Sequence, residues 1–249
     1  MIFISADHKR TIVAANRFNF DSIIKMSYPD RKIIFSIFSL MKQLNESNNY
    51  TLTIQSNYLR KLSNNTRMRG HAFLQHAIKL CKSLVTTYIL VDESSDNPVF
   101  MPLFSKLVAH KDTQQIELKV NKELLPYFID LSDNYFWFLL DDSNKIRSRV
   151  SLKVFVLLSQ YRYLGKVHLS IDDAKQLFNY QGNSRSYLTQ SLKRSTSRLS
   201  PYFKNIKVKA IYQPTNTSQV VASYLITFNR ESFHKSTIKS LFKDIKISD

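Results

Sequence analysis

SRSYLTQSLKRSTSRL, residues 184–199, is the stretch on which the reading of this chain turns. At 3.6 residues per turn, Leu188, Leu192 and Leu199 fall on one narrow stripe, with Ser195 between them. Ser186, Gln190, Lys193 and Ser197 fall on the opposite stripe, and Arg194 flanks it. An ordinary solvated helix mixes signs through i,i+4 pairs, whereas this one carries no acid at all. Gln190, Lys193 and Arg194 are side chains that reach base edges, and Ser186 and Ser197 are side chains that reach phosphates. The pattern predicts a helix held on its domain by a thin leucine edge, with its far side free to lie in the major groove of double-stranded DNA.

The rest of the composition agrees with a polyanionic partner. The chain has 249 residues, a net charge of +17 and a pI near 9.9, and its length allows two domains with separate cores. The charge is blocked. Residues 1–90 hold 13 basic and 4 acidic side chains, 91–144 hold 4 and 10, 145–210 hold 14 and 2, and 211–249 hold 5 and 3. Two basic blocks around an acidic middle argue for two anion-binding surfaces rather than a uniform solubilising coat. The single cysteine, Cys81, excludes an internal disulfide and a thiolate metal site, and its place on an apolar stripe assigns it to the core. Three glycines cannot build a P-loop or a GxGxxG turn, so no nucleotide cofactor is expected. MIFISADHKR lacks the apolar core of a signal peptide, and FWFLL at 136–140 is too short to cross a bilayer. A cytoplasmic protein with no membrane partner is the expectation.

Residues 1–30 read as a short arm. Ile33, Ile37, Leu40, Met41 and Leu44 then make a helical stripe, and residues 52–62 read as a brief strand running into a second helix. NNTR is a turn with capping from Asn65 or Thr66. A third helix over 67–84 turns Leu74, Ala77, Ile78, Cys81 and Val85 inward and presents Ala72, Gln75, His76, Lys79 and Ser83, with Arg67 and Arg69 at its start. Residues 86–91 and 99–108 read as a hairpin around DESSDN, followed by an alternating strand with Ile116, Leu118 and Val120 on one face. A short helix with Leu124, Leu125, Phe128 and Leu131 inward leads to a domain boundary near Ser132.

The second half repeats this order. Val150, Val154, Leu157, Leu158 and Tyr161 make a stripe that ends at Gly165. Ser170 and Asp173 form a capping box for the next helix, QGNS is a turn, and residues 184–199 follow. Residues 206–212 and 220–228 make a hairpin around QPTNTSQ, and a basic tail with a short helix around 238–242 ends the chain. Helix, helix, turn, helix, hairpin is the order of a winged helix-turn-helix domain. The expected fold is therefore α+β, with two tandem winged helix-turn-helix domains. The expected spans are an arm at 1–30, domains at 31–131 and 132–230, and a tail at 231–249.

Lys207 and Lys209 on the second hairpin are candidate phosphate contacts. Tyr180, Tyr187, Tyr202, Phe203 and Tyr212 interleave with basic residues, but aromatics run through the whole chain, so core packing is the first reading. Asp112, Glu117 and Lys119 echo a metal-dependent nuclease core, a pattern that alternating strands generate by chance. No His-x-His or HExxH pattern occurs, so neither metal ligands nor catalytic residues are assigned.

"LFSKLVAH…IELKVNKELLPYFIDL" and "RSRVSLKVFVLLSQYRYLGKVHLSIDDAKQLFNY" resemble the plasmid replication initiator proteins that bind iterons through two winged-helix domains. The resemblance spans residues 33–228. It is clearest in residues 124–131, in residues 151–165 and in the ITF at 226–228. It implies a sequence-specific initiator that binds origin repeats as a monomer, represses its own gene as a homodimer and recruits host replication initiation proteins or helicase, with no catalytic step. It also implies that both third helices read the major groove, through Arg67, Arg69, Gln75, His76 and Lys79 in the first domain. In the second domain it implies Arg185, Ser186, Gln190, Lys193 and Arg194. The chain departs from the family at the end of the second such helix, where Arg198-Leu199-Ser200-Pro201 stands in place of a Glu-Ile-Asn-like turn, and in its short arm. A transcriptional repressor built from the same domains is the alternative expectation, and a metal-dependent nuclease is the rival from another class.

Overall fold

The structure, a computed structural model, describes residues 11–15, 19–44, 49–86, 88–92, 99–128, 135–214 and 219–230. The expected tail helix, residues 93–97 of the DESSDN turn and Leu131 lie outside the described residues. The chain divides into two compact units, Met1–Arg147 and Ser148–Asp249.

In the first unit the described elements begin with β1 (Thr11–Ala15), α1 (Asp21–Ile24) and α2 (Tyr28–Phe38). Ser27 caps α2 by accepting from the Asp30 amide at 3.3 Å, with Pro29 in the first turn where its missing N–H costs nothing. A single 3₁₀ turn at Met41–Gln43 follows, and then β2 (Thr51–Gln55) runs directly into α3 (Ser56–Leu62). Next come α4 (Gly70–Thr86), β3 (Ile89–Asp92), β4 (Val99–Met101), β5 (Phe104–His110) and β6 (Gln115–Val120). A 3₁₀ turn at Lys122–Leu124, α5 (Leu125–Phe128), β7 (Tyr135–Leu139) and α6 (Leu140–Lys145) complete the unit.

Three expectations differ from this arrangement. First, residues 11–30 are not a separate arm, and the first unit extends past Ser132. β1 pairs antiparallel with β7, from Thr11 opposite Leu139 to Ala15 opposite Tyr135. Phe20 packs edge-on against Phe35, Phe38, Phe136 and Phe138 with ring centroids 5.8 to 6.1 Å apart, a geometry favoured by the ring quadrupoles. Arg31, 2% exposed, donates to the carbonyls of Ile146 and Arg147, so the last residues before the boundary are tied back to α2. Second, residues 99–108 are two strands. β4 pairs with β3, whereas β5 pairs with β6 in the sheet β2-β6-β5. Pro102, which has no N–H to donate to a ladder, stands between them. Third, α4 begins at Gly70, and Asn65 does not cap it. The Asn65 side-chain Nδ2 instead donates to Ser63 Oγ at 3.1 Å and to the Pro29 carbonyl at 3.4 Å.

The second unit holds α7 (Arg149–Gln160), β8 (Lys166–Ser170), α8 (Ile171–Phe178), α9 (Arg185–Ser197), β9 (Lys207–Pro214) and β10 (Gln219–Thr227). Its sheet order is β8-β10-β9, the counterpart of β2-β6-β5. Val154 and Leu158 are buried as expected, while Val150 and Leu157 are half-buried and Tyr161 is exposed. The chain turns after α7 through Gly165 at φ +68°, whose N–H donates to the Tyr161 carbonyl at 3.0 Å. The capping box at α8 is present in both directions: Ser170 Oγ accepts from the Asp173 amide at 3.0 Å, and Asp173 Oδ2 accepts from the Ser170 amide at 2.9 Å. Each unit is thus helix, strand, helix, helix and two-stranded wing, with the strand before the second helix completing a three-stranded sheet. The α+β class and the winged-helix topology hold in both units.

Candidate nucleic-acid interface

In the second unit α9 is the third helix. Ser184 is its N-cap and accepts from the Tyr187 amide at 3.2 Å. The Ser184 N–H in turn donates to the Tyr180 hydroxyl at 3.2 Å, and Tyr180 stacks on Tyr187 with centroids 4.5 Å apart. Leu188, Leu192 and Leu199 are each 0% exposed. Burial of each contributes roughly 1.5–3 kcal/mol, enough to seat a helix that has little other apolar surface. Ser195 and Thr196 are also buried, and the Thr196 hydroxyl donates to the Leu192 carbonyl at 2.9 Å. Ser186, Gln190, Lys193, Arg194 and Ser197 are all exposed, and Arg185 is half-buried. The face that carries hydrogen-bonding and cationic groups is therefore separated from the face that docks.

Lys207 and Lys209 are exposed and alternate along β9 with half-buried Val208 and Ala210. They stand opposite Thr227 and Leu225 of β10, on one side of the wing. Tyr212, farther along the same strand, is 57% exposed. Phe203 is buried and Tyr202 half-buried, and they pack edge-on against Phe155 at 5.7 and 5.5 Å.

In the first unit α4 is the third helix. Its buried side is Phe73, Leu74, Ala77, Cys81 and Leu84; Ile78 and Val85, expected inside, are half-buried. Burial pushes the Cys81 thiol up to about 12, which keeps it protonated and unreactive. Gln75 and Lys79 are exposed, and Arg67 and Arg69 are exposed in the turn before the helix. Lys82 is exposed one turn beyond Lys79, where sequence reasoning passed over it; its i,i+7 spacing from Gln75 is the signal that marks it. His76 differs from its neighbours. Its Nε2 lies 2.7 Å from Asp30 Oδ1, so the ring that was expected to face a groove is engaged by a carboxylate of α2.

The turn between α3 and α4 is held from below. Lys32 Nζ donates to the Asn64 carbonyl at 2.7 Å, and Arg60 Nη1 donates to the Met68 carbonyl at 3.0 Å. Burial, and after it the charge of Arg147, lower the Lys32 pKa.

Asp112, Glu117 and Lys119, the residues of the nuclease pattern, lie in the β5–β6 turn and on β6. Asp112 is exposed in the β5–β6 turn, while Glu117 on β6 lies 3.8 Å from Lys106 Nζ and 3.7 Å from His110 Nε2. Among the described residues no three His, Cys, Asp or Glu side chains are grouped to hold a metal ion. No helix among them is long and apolar enough to cross a membrane.

The fold and these two cationic helices define a tandem winged-helix protein. The chain belongs to the initiator replication protein family, whose first winged-helix (WH1) model matches residues 11–159. That match begins at β1 and so includes residues 11–30 of the expected arm. The chain is also similar to the Pi initiator protein, solved in complex with iteron DNA, at 14% identity and a TM-score of 0.65 over 92% of this chain and 100% of that one. No curated protein matches this chain.

Proposed function

We propose that this protein starts plasmid replication by binding double-stranded repeats at the origin through α4 and α9, as the iteron-bound initiator of similar fold suggests. The observation that carries the reading is the division of α9. Three leucines are fully buried on one side, while Gln190, Lys193 and Arg194 are exposed on the other with no acid among them. Direct readout falls to Gln190, Lys193 and Arg194 in the second unit and to Gln75 in the first. Arg67, Arg69, Lys79, Arg185, Ser186, Ser197, Lys207 and Lys209 contribute phosphate contacts that set register. His76 acts through its tie to Asp30 rather than by reading a base. Membership of the initiator family supports a monomer–dimer equilibrium, recruitment of host replication initiation proteins or helicase, action in the cytoplasm and the absence of a cutting step.

The test is a footprint on the DNA that flanks the gene. Protection of tandem direct repeats supports initiation, whereas protection of a lone promoter palindrome supports a repressor built on the same domains. Supercoiled plasmid incubated with the protein and magnesium or manganese is expected to stay uncut; nicking would favour the nuclease reading instead.

A further inference from the structure

The hydroxyl of Tyr224 joins the wing to the first turn of α9. Tyr224 lies on β10, the central strand of its sheet, with Leu169 of β8 on one side and Ala210 of β9 on the other. Its ring is 0% exposed. The phenol donates to the carbonyl of Arg185, the first residue of α9, at 3.0 Å, and the Thr189 hydroxyl lies 3.2 Å from the phenol oxygen of Tyr224. Thr189 also reaches the Arg185 carbonyl at 2.8 Å, which closes a three-membered network of Tyr224, Thr189 and Arg185. A tyrosine buried only for its ring needs no partner in the helix that meets duplex. This one spends its polar end on the turn that presents Arg185 and Ser186.

From this geometry we infer that Tyr224 is a positioning residue for DNA recognition: its hydroxyl sets where the start of α9 stands relative to Lys207 and Lys209 of the wing. The inference rests on the functional reading above. Ala210, the cross-strand neighbour of Tyr224, directly follows Lys209, so one side chain indexes both contact elements to the same strand. The network also explains why the substitution Tyr224→Phe separates positioning from folding. The ring stays in the core, and the Arg185 carbonyl keeps the Thr189 hydroxyl as a partner, so no buried acceptor is left without a donor. The first unit is secured differently, with α4 tied to α2 by the His76–Asp30 pair, so the effect is confined to the bases read by the second unit.

The full-length wild-type chain and Tyr224→Phe are compared in two measurements. The first is amide hydrogen exchange over residues 186–189 of the free protein. The second is affinity and footprint on a duplex carrying the protected repeat, beside a mixed-sequence duplex of equal length. The expected result is faster exchange in the first turn of α9, a melting temperature within a few degrees of wild type, and about fivefold weaker binding to the repeat. Protection is lost at one end of the repeat only, and mixed-sequence binding changes less. Thr189→Val, which removes the other hydroxyl, moves exchange in the same direction. Unchanged exchange in Tyr224→Phe overturns the anchor. Faster exchange with unaltered repeat affinity overturns its role in recognition. If the wild type binds neither duplex, the functional reading fails and the recognition role falls with it, while the exchange result still decides whether the hydroxyl holds the helix.

Discussion

Lys193 and Arg194 directly follow Leu192 in the chain, yet they are exposed and Leu192 is completely buried. The helical rotation of about 100° per residue is enough to place consecutive side chains in different surroundings. Substitution of both cations by alanine is therefore expected to abolish specific duplex binding. It should leave the melting temperature within a few degrees of wild type, because exposed substitutions cost about 0.5 kcal/mol or less. Thermal melting beside a gel-shift titration checks this, and loss of folding would show that the two side chains carry packing instead. This division of faces was legible because it is a local property of one helix. The fate of His76 was not. It occupies the same kind of position as Gln75 and Lys79, but Asp30 of α2 stands 2.7 Å from its Nε2, and the ring is half-buried. Residue spacing within α4 holds no information about a carboxylate 46 positions earlier.

At the scale of the element, the end of α7 shows how one backbone conformation fixes a connection. Gly165 has φ +68°, and a Cβ there would stand 2.8 Å from the Phe228 carbonyl oxygen and 2.8 Å from Arg230 Cγ. The Phe228 N–H donates to the Gly165 carbonyl at 2.9 Å, so the turn is fastened to the end of β10. Gly165→Ala is expected to lower the stability of the second unit by about 1–3 kcal/mol, through left-handed strain and the clash with backbone. Urea denaturation checks it: the midpoint falls at unchanged slope. The turn at Gly165 and the capping box at Ser170 were legible because each rests on residue chemistry that acts within a few positions. The wing of the first unit was not legible in the same way. Residues 99–108 are mostly apolar and read as one strand. They split because β5 is claimed by β6, itself held by β2, while β4 is left to β3.

Across the whole molecule the same order of elements occurs twice, each time with the hairpin's second strand in the centre of a three-stranded sheet. Each copy presents cations on its third helix, and the net charge of the chain is +17. Binding by such a protein releases many counterions, so affinity is expected to fall about 10³-fold or more between 50 and 200 mM salt. Fluorescence anisotropy on a repeat duplex measures this slope, and a shallow slope would place the cationic faces away from phosphate.

Periodicity, capping residues and charge blocks determined the helix, helix and wing of the second unit, the third helix of the first, the inward leucines of α9 and the cations that oppose them, because each of these is expressed within a few turns of chain. Tertiary structure alone decided that residues 11–15 and 135–139 form one sheet, that the first unit reaches Arg147, and that Tyr224 holds the start of α9. Those outcomes depend on segments far apart in sequence meeting at a particular register. That meeting is selected by the packing of the assembled core, which no local pattern records.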